Sequence, residues 1–452
     1  MSETTAVARA LRRARGTLTI VAALPGARRA HHRSRTAIEA RRDARIARTV
    51  AYAARFVPYY RELFRRERID PRQIGAAADL RRIPQVDRTA VQRAEESFRA
   101  QTPAAREALA FRTSGSTAMP LTVHHDRTSL LANIAHSERE RAVEASLVGS
   151  SRRYTAVDIR STTGTLPRVQ QFYAEASFRP MRPGRHQLSV DDPPGATIDA
   201  VNRLRPDVVR SYGAYLELLF RVAATTGSLR HRPSVVVYAG DVMSSAGREL
   251  IEEEFGIPVL SAYNAVECFK IAFTCEARAG FHLHEDLCDV RLVDAAGEDV
   301  PVGETGEVVV SNLVNRGTVL LNYRLGDRAR FETAPCACGR TSRRLVDLDG
   351  RVDDAIALDV GEFVYPTRVW RVFRDRPEIL RYQLVQRARD RFELRVVAAD
   401  GRAADAVVTA AVGELRELLR GADVSATRHE TLREGPGGKF RHLVPLGPRD
   451  PG

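Results

Sequence analysis

The feature that most restricts the fold is a regular alternation of short β-branched runs with amphipathic segments between residues 205 and 264. Runs of strand length and segments of helix length follow one another in the order RPDVVRSYG, YLELLFRVAATTG, PSVVVYAGD, GRELIEEEFG and IPVLSAYN. Strand and helix alternating at this spacing are typical of a parallel sheet covered by helices. The sequence therefore predicts an α/β protein.

The regions on either side of this alternation have different predicted secondary structure, which divides the chain into further parts. A length of 452 residues exceeds the roughly 100 to 200 residues of one domain, so we expect at least two. Residues 1–349 predict a large N-terminal domain, in which a mainly helical entry over 1–100 precedes parallel-rich sheets and then a β-rich subdomain. The strands and the long helix that follow, within 350–452, predict a small α+β domain.

The chain is strongly basic, with a formal net charge of +13, yet only two of its 70 basic residues are lysines, Lys270 and Lys439. Clustered cations favour nucleic-acid backbones. Outside the N-terminal stretch, however, the arginines alternate with acids in helical segments such as ELRELLRG. We therefore expect no nucleic-acid partner, and Lys270 has no explanation from the sequence.

One apolar stretch, LTIVAALPGA at 18–27, follows basic residues as the core of a signal peptide does. It is short and runs into further arginines, so a packed amphipathic segment is the better interpretation. Elsewhere no stretch reaches the roughly 18 apolar residues that a membrane helix needs. We expect a cytoplasmic protein without a membrane span, either a monomer or a homodimer.

Five short polar elements carry the candidate chemistry: FRTSGSTAMP (111–120), SAYNAVE (261–267), LNYRLGD (321–327), DGRVDD (349–354) and EGPGGKFRHLV (434–444). The first is a hydroxyl-rich loop of the kind that wraps phosphate oxygens. Glu267 follows a predicted strand, where open α/β sheets bind ligands, and a carboxylate there can hold Mg²⁺. A tight turn at Gly326 is expected to present Asp327. Alone, each element also fits an ordinary turn or a solvated acid.

Taken together and in this order, the five elements resemble those of the adenylate-forming enzymes, which include acyl-CoA ligases, adenylation domains and luciferases. YNAVE resembles that family's Tyr-Gly-x-Thr-Glu element, YRLGD its Tyr-Arg-Thr-Gly-Asp element, GRVDD its hinge and GGKFR its catalytic-lysine loop. The resemblance covers roughly residues 50 to 452. Within that superfamily the chain is most similar to the phenylacetate-CoA ligase group, through four segments: AARFVPYYRELF, LRRIPQVDRTAV, CEARAGFHLHEDL and PCACGRTSRRL.

The resemblance implies an AMP-forming carboxylate ligase that uses ATP and Mg²⁺ to activate an aryl or arylalkyl acid and then transfers the acyl group to CoA. It assigns nucleotide binding to Thr113, Ser114, Gly115, Ser116, Thr117, Tyr263, Asn264, Asp327 and Arg351. Catalysis falls to Lys439, Glu267 and Arg351, with Asp353 as the hinge of a mobile lid, 350–452. The acid pocket is expected near Tyr212, Gly213, Ala239, Gly240, Asp241 and Ala265.

The cysteines indicate a metal site. All five lie between positions 268 and 338, and an odd number confined to one region does not form a disulfide framework. Cys275, His282, Cys336 and Cys338 supply three thiolates and an imidazole, a set suited to tetrahedral zinc in a structural role. His284 is the competing imidazole, Cys268 and Cys288 are the spare thiols, and reduced, buried thiols are the alternative.

Some positions depart from the family's pattern. Ala118 stands in place of the last glycine of the phosphate loop, Asn264 and Val266 replace Gly and Thr, and Leu325 replaces Thr. The missing hydroxyls put the acceptor in doubt. An adenylating enzyme that passes its activated substrate to an amine, a carrier-protein thiol or another nitrogen acceptor is therefore the alternative to a CoA ligase.

Overall fold

The structure is a computed structural model that describes residues 3–113, 120–150, 154–162, 165–178, 184–348, 356–358, 363–399, 401–435 and 439–446. The helices are α1 Glu3–Arg29, α2 Arg35–Phe56, α3 Pro58–Arg66, α4 Arg88–Arg93, α5 Pro103–Arg106, α6 Arg127–His136, α7 Glu138–Val148, α8 Thr165–Ala176, α9 Pro194–Leu204, α10 Gly213–Thr226, α11 Ser245–Glu249, α12 Pro366–Phe373 and α13 Arg402–Leu418. Within this described part of the chain, no helix is both long and apolar enough to cross a bilayer.

The strands are β1 Leu109–Arg112, β2 Thr122–His125, β3 Ala156–Arg160, β4 Arg185–Ser189, β5 Val208–Ser211, β6 Val235–Ala239, β7 Val259–Tyr263, β8 Ala272–Thr274, β9 Phe281–Leu283, β10 Cys288–Val293, β11 Thr305–Asn312, β12 Tyr323–Glu332, β13 Arg344–Val346, β14 Ile356–Ala357, β15 Phe363–Val364, β16 Ile379–Ala388, β17 Arg391–Ala398, β18 Asp423–Arg428 and β19 Leu443–Val444. Short pairs join β1 to β2 and β14 to β15. The remaining strands form two larger sheets.

The helical entry follows local sequence signals. The Ser34 side chain accepts a hydrogen bond from the Ala37 backbone N–H at 3.3 Å and caps α2, and Pro58 starts α3 directly after Val57. The buried face of α2 repeats at helical spacing through Ile46, Val50 and Ala53 and packs against the antiparallel part of the large sheet. The predicted helical region is confirmed.

One sheet of eleven strands, in the order β10-β11-β12-β13-β9-β8-β7-β6-β5-β3-β4, forms the centre of the large domain. Strands β4, β3, β5, β6 and β7 are parallel neighbours, whereas β8 to β13 pair antiparallel. The predicted α/β class is therefore confirmed. The parallel strands and the strands of the predicted β-rich subdomain share this single sheet.

The parallel strands are buried on both faces, as their continuous apolar runs indicate. Val209 and Val236 pack with α9 and α10 on one face, while Val208 and Val235 pack with Val143 of α7 on the other. The ends of the strands are therefore the parts of this region that remain available to a ligand.

The C-terminal part forms a second sheet, in the order β18-β17-β16-β19, with α12 and α13 packed on it. Two of its strands and the long helix lie where the sequence predicts them. Its apolar core includes Trp370, Phe373, Leu384 and Leu415. The expected domain boundary at Gly350 and the expected hinge at Asp353 lie outside the described residues.

The structure corrects one local prediction. Asp327 is not presented by a tight turn at Gly326, because both residues lie inside β12, in a bulge. The register with β11 jumps from Arg324 opposite Val309 to Arg328 opposite Glu307, so residues 325–327 face residue 308 alone. Gly326 takes the positive φ of 82° that this bulge needs. Bulges redirect side chains, which explains how Asp327 leaves the regular alternation of the strand.

Candidate active site and metal centre

The predicted pocket residues lie at the carboxyl edge of the parallel strands, where α/β sheets bind ligands. Tyr212 and Gly213 follow β5 and begin α10, and Ala239 ends β6. Gly240 comes next, with a φ of 97° that disfavours any side chain. Because Ala239 pairs with Ala262, this segment lies beside the end of β7. Strand β7 ends at Tyr263, and Ala265 begins the turn that follows it.

Asp241 is tied into this edge through the backbone of α10. The N–H of Gly213 donates a hydrogen bond to Asp241 Oδ1 at 2.5 Å. A side chain at Gly213 would collide with the backbone of Val242 and Met243. Burial raises the pKa of the Asp241 carboxyl to about 7, and the Gly213 amide and the Lys439 charge oppose that rise.

Lys439 reaches the same edge from the C-terminal part of the chain. A methyl group built on Gly240 would lie 3.8 Å from Lys439 Cε, and the Lys439 charge acts on Asp241. The Gly435 N–H donates to the Lys439 carbonyl at 2.8 Å and closes the loop that carries the lysine. The structure thus brings Lys439 together with the predicted pocket.

Asp327 and Tyr263 come together although they lie far apart in the sequence. The Tyr263 hydroxyl donates a hydrogen bond to Asp327 Oδ2 at 2.6 Å. Asn264 satisfies its amide when the nitrogen donates to the carbonyls of Tyr263 and Phe269, at 3.2 and 2.8 Å. The Asn that departs from the family pattern therefore holds its own turn.

Glu267 is buried, with 4% of its surface exposed, and it is held from two sides. The Tyr323 hydroxyl donates to Glu267 Oε1 at 3.1 Å, and the Asn312 amide donates to the Glu267 carbonyl at 2.9 Å. Tyr323 and Asn312 were missed as supporting residues by the sequence reasoning. Tyr323 opens the YRLGD element, so its place in the motif was an available signal.

Of the residues predicted to form the phosphate loop, Thr113 to Thr117, the structure describes only Thr113. The Thr113 hydroxyl accepts hydrogen bonds from Arg88 Nη2 at 2.9 Å and from the Leu121 N–H at 3.0 Å. Its own N–H donates to the Leu121 carbonyl at 2.9 Å, which closes the base of the loop. Residues Ser114, Gly115, Ser116 and Thr117 lie outside the described residues, as does Arg351.

The four predicted metal ligands form one cluster, with ligand atoms within 4.8 Å of one another. Cys275 follows β8, His282 lies on β9, and Cys336 and Cys338 lie in the loop before β13. Cys275 Sγ is 3.6 Å from Cys336 Sγ, and His282 Nε2 is 3.3 Å from Cys338 Sγ. Gly339, with a φ of 75°, lets the loop turn back.

The chemistry of this cluster fits a zinc ion. Three sulfur ligands and one imidazole nitrogen are a common tetrahedral set, and four protein ligands leave no position for a substrate. Burial and the neighbouring thiols raise the pKa of Cys275 to about 12, whereas hydrogen bonds from Arg340 outweigh burial and lower the pKa of Cys338. A divalent cation would stabilise the thiolate forms of all three.

The competing residues lie elsewhere. Burial raises the pKa of the Cys268 and Cys288 thiols, and neither joins the cluster. His284 is not a member of the cluster, and its ring nitrogens lie near Arg139 and Glu140. Lys270 now has an explanation: its ammonium, 7% exposed, binds both oxygens of Glu140 at 2.7 and 2.8 Å.

The chain is similar in sequence to curated phenylacetate-coenzyme A ligases. The chain is 27% identical over 382 residues to a phenylacetate-coenzyme A ligase of Thermus thermophilus, covering 81% of this chain and 82% of the relative. A second phenylacetate-coenzyme A ligase, of Aromatoleum evansii, is 24% identical over 76% of this chain and 77% of its own. No protein-family model matches the chain.

The fold has a solved counterpart. The crystal structure of 2-hydroxyisobutyryl-CoA ligase, in its postadenylation state with an acyl-AMP ligand, superimposes with a TM-score of 0.72 at 18% identity. The match covers 93% of this chain and 92% of that one. The chain is therefore similar in sequence to phenylacetate-coenzyme A ligases and has the fold of an adenylate-forming CoA ligase.

Proposed function

We propose that the protein is an AMP-forming acid–thiol ligase, which converts a carboxylic acid of the aryl or arylalkyl type into its adenylate and transfers the acyl group to CoA. The position of Lys439 carries the proposal. Its side chain reaches the residues that follow β6, and the pairing of Ala239 with Ala262 sets these beside Tyr263 and its partner Asp327. A cation, a carboxylate and a phenol hydroxyl therefore share one edge of the sheet.

Adenylation joins two anions, so the barrier is dominated by charge repulsion. The carboxylate oxygen of the acid attacks the α-phosphorus of ATP, and pyrophosphate leaves with the bonding electrons. We assign Lys439 to the space between the carboxylate and the α-phosphate, where an ammonium stabilises the developing charge. Lysine suits this place because it is a compact point charge, whereas arginine presents a broad planar fork.

The nucleotide contacts follow from the positions of the remaining groups. Asp327, held by Tyr263, would accept the ribose hydroxyls, and Thr113 to Thr117 would cradle the β- and γ-phosphates. Arg351 would contact the ribose or phosphate. Mg²⁺, when bound at Glu267, neutralises phosphate oxygens, and the Tyr323 hydroxyl keeps that carboxylate oriented. Ala239, Gly240 and Ala265 leave room for the acid beside Tyr212.

The second half-reaction requires Lys439 to withdraw. We assign the segment 350–452 to a mobile lid that rotates about Asp353 and admits the CoA thiol. Two observations support this assignment. The C-terminal sheet has a core of its own, and the ion pair Arg374–Glu249, which joins α12 to α11 at 2.6 Å, is half exposed and readily broken.

We assign a structural zinc ion to Cys275, His282, Cys336 and Cys338. The ligands come from β9 and from the segments after β8 and before β13, so the ion would fasten strands that lie between the parallel half of the sheet and its antiparallel end. This site supplies no step of the reaction. Its contribution is to stability.

A pyrophosphate-release screen over aryl, arylalkyl and aliphatic acids, run with and without CoA, tests the proposed function. We expect release that depends on an aryl or arylalkyl acid, is stimulated by CoA and accompanies formation of an acyl-CoA thioester. Release that CoA leaves unchanged, with an amide appearing when amines are added, would favour the non-CoA acceptor. No release with any acid would contradict the ligase assignment.

A further inference from the structure

A line of buried polar side chains runs from the metal cluster into the interior. His282 Nδ1 lies 3.1 Å from Ser342 Oγ, and the same oxygen lies 3.0 Å from His31 Nδ1. The other nitrogen of His31, Nε2, lies 3.3 Å from His284 Nδ1. These four side chains are buried, with no more than 6% of any of them exposed. Each contact therefore takes place without competition from bulk water.

Arg139 determines how His284, the histidine of this line that lies farthest from the metal cluster along it, must be protonated. A guanidinium can only donate hydrogen bonds, and Arg139 Nη1 lies 2.9 Å from His284 Nδ1. His284 Nδ1 must therefore be the acceptor, so the ring proton is on Nε2. That nitrogen faces the carboxylate of Glu140 at 3.5 Å, which favours the same placement. Arg139 itself is fixed by both oxygens of Asp286, at 2.9 and 2.7 Å.

The proton position on His284 then determines the proton positions on His31, Ser342 and His282 in turn. Because His284 Nδ1 accepts, His31 Nε2 must carry a proton and donate it, which leaves His31 Nδ1 as an acceptor. Ser342 has one hydroxyl proton and must direct it to His31 Nδ1. The Ser342 oxygen can then only accept from His282, so His282 carries its proton on Nδ1. The lone pair of His282 is left on Nε2, 3.3 Å from Cys338 Sγ.

We propose that Arg139, His284, His31 and Ser342 form a tautomer relay that holds His282 in the form able to bind the metal through Nε2. Ser342 is the positioning residue in direct contact with His282, and His31 brings the N-terminal helical region into the metal centre. Imidazole ligands are commonly oriented by an acceptor on the ring nitrogen that does not bind the metal. In this chain that acceptor is the Ser342 hydroxyl.

All three imidazoles of the relay must be neutral for this pattern to hold. Each ring then uses one nitrogen as a donor and the other as an acceptor, which is the hydrogen-bonding capacity of a neutral imidazole. The N-terminal contribution was hidden in the sequence, because His31 stands inside a run of arginines.

The relay rests on the proposed metal site, and metal affinity tests it directly. Purified full-length protein is titrated with Zn²⁺ against a chromophoric chelator. Replacing Ser342 by Ala should raise the zinc dissociation constant by about 10-fold to 100-fold. The change Ser177→Ala is the matched control, since it also removes a buried hydroxyl bonded to protein, at 2.8 Å from the Tyr173 carbonyl, and Ser177 is not a member of the cluster. It should leave the affinity unchanged.

A second variant separates the relay from simple loss of packing. His31→Phe keeps an aromatic ring in place, whereas both ring nitrogens are lost, so the Ser342 hydroxyl becomes free to donate to His282. We expect weaker zinc binding, and no further loss when His31→Phe is added to Ser342→Ala, because the two residues act in series. Additive losses, or wild-type affinity in either single variant, would overturn the relay alone. A wild-type chain that takes up no zinc would overturn the metal site together with the relay.

Discussion

The Tyr263 hydroxyl donates a hydrogen bond to Asp327 Oδ2 at 2.6 Å and thereby joins the end of β7 to the bulge in β12. The two residues are 64 positions apart, and each lies in a different motif. This contact orients the carboxylate that we assign to the ribose hydroxyls. It makes the first prediction possible.

Tyr263→Phe should raise the KM for ATP about tenfold and change kcat much less, because a hydrogen bond to a carboxylate contributes roughly 1.5 to 3 kcal/mol. Pyrophosphate release measured against ATP concentration checks this. Tyr52→Phe, which removes a hydroxyl bonded to the Arg316 carbonyl at 3.0 Å, is the control and should leave KM unchanged. A fall in kcat with constant KM would show that Tyr263 serves another purpose.

The metal centre gives a second prediction. Protein purified without chelator should contain about one equivalent of zinc, and the double change Cys336→Ser with Cys338→Ser should abolish it and lower the unfolding temperature. Elemental analysis and thermal unfolding measure the two effects. Cys268→Ala removes a buried thiol outside the cluster and should keep the metal. Full metal content in the double variant would rule the site out.

The ion pair of the buried Lys270 with the partly buried Glu140 predicts a stability effect. Lys270→Met leaves the Glu140 carboxylate without its cation and should cost about 3 kcal/mol or more of unfolding free energy. Adding Glu140→Gln should recover much of the loss, since the unpaired charge is then gone. Chemical denaturation measures both values.

The exposed pair of Arg65 with Glu62 offers the comparison. Its side chains lie on the surface, 2.7 Å apart, so Arg65→Met should change the stability little. If Lys270→Met were as mild as Arg65→Met, the buried pair would have no structural role.

Asp241 predicts a dependence on pH. Its folded pKa of about 7 lies above the roughly 3.9 of an unfolded aspartate, so the folded state binds the proton more tightly. The stabilisation is complete below about pH 4 and is lost as the pH rises through 7. Asp241→Asn lacks this titration, so the unfolding free energy of the variant minus that of the wild type should increase between pH 5 and 8. A difference that is constant over this range would contradict the raised pKa.

The sequence predicted most of the architecture because strand and helix periodicities are local. It also predicted that Cys275, His282, Cys336 and Cys338 come together, since Cys and His spacing limits which side chains can meet. It could not predict the bulge at Gly326, because a bulge depends on the register with β11. Nor could it find Tyr323, Asn312 or His31 as supporting residues. Their roles arise from contacts across 45 to 311 positions, which no local pattern records.

The central claim is that Lys439 acts in adenylation alone, and separate assays of the two half-reactions test it most directly. Lys439→Ala should slow acyl-adenylate formation by about 100-fold, or roughly 2.7 kcal/mol, while presynthesised adenylate still reacts with CoA at the wild-type rate. Lys439→Arg should keep the charge but recover only part of the rate. Arg433→Ala, which changes an exposed residue in the same segment, is the control and should leave the rates of both half-reactions unchanged. Equal losses in both half-reactions would contradict the account.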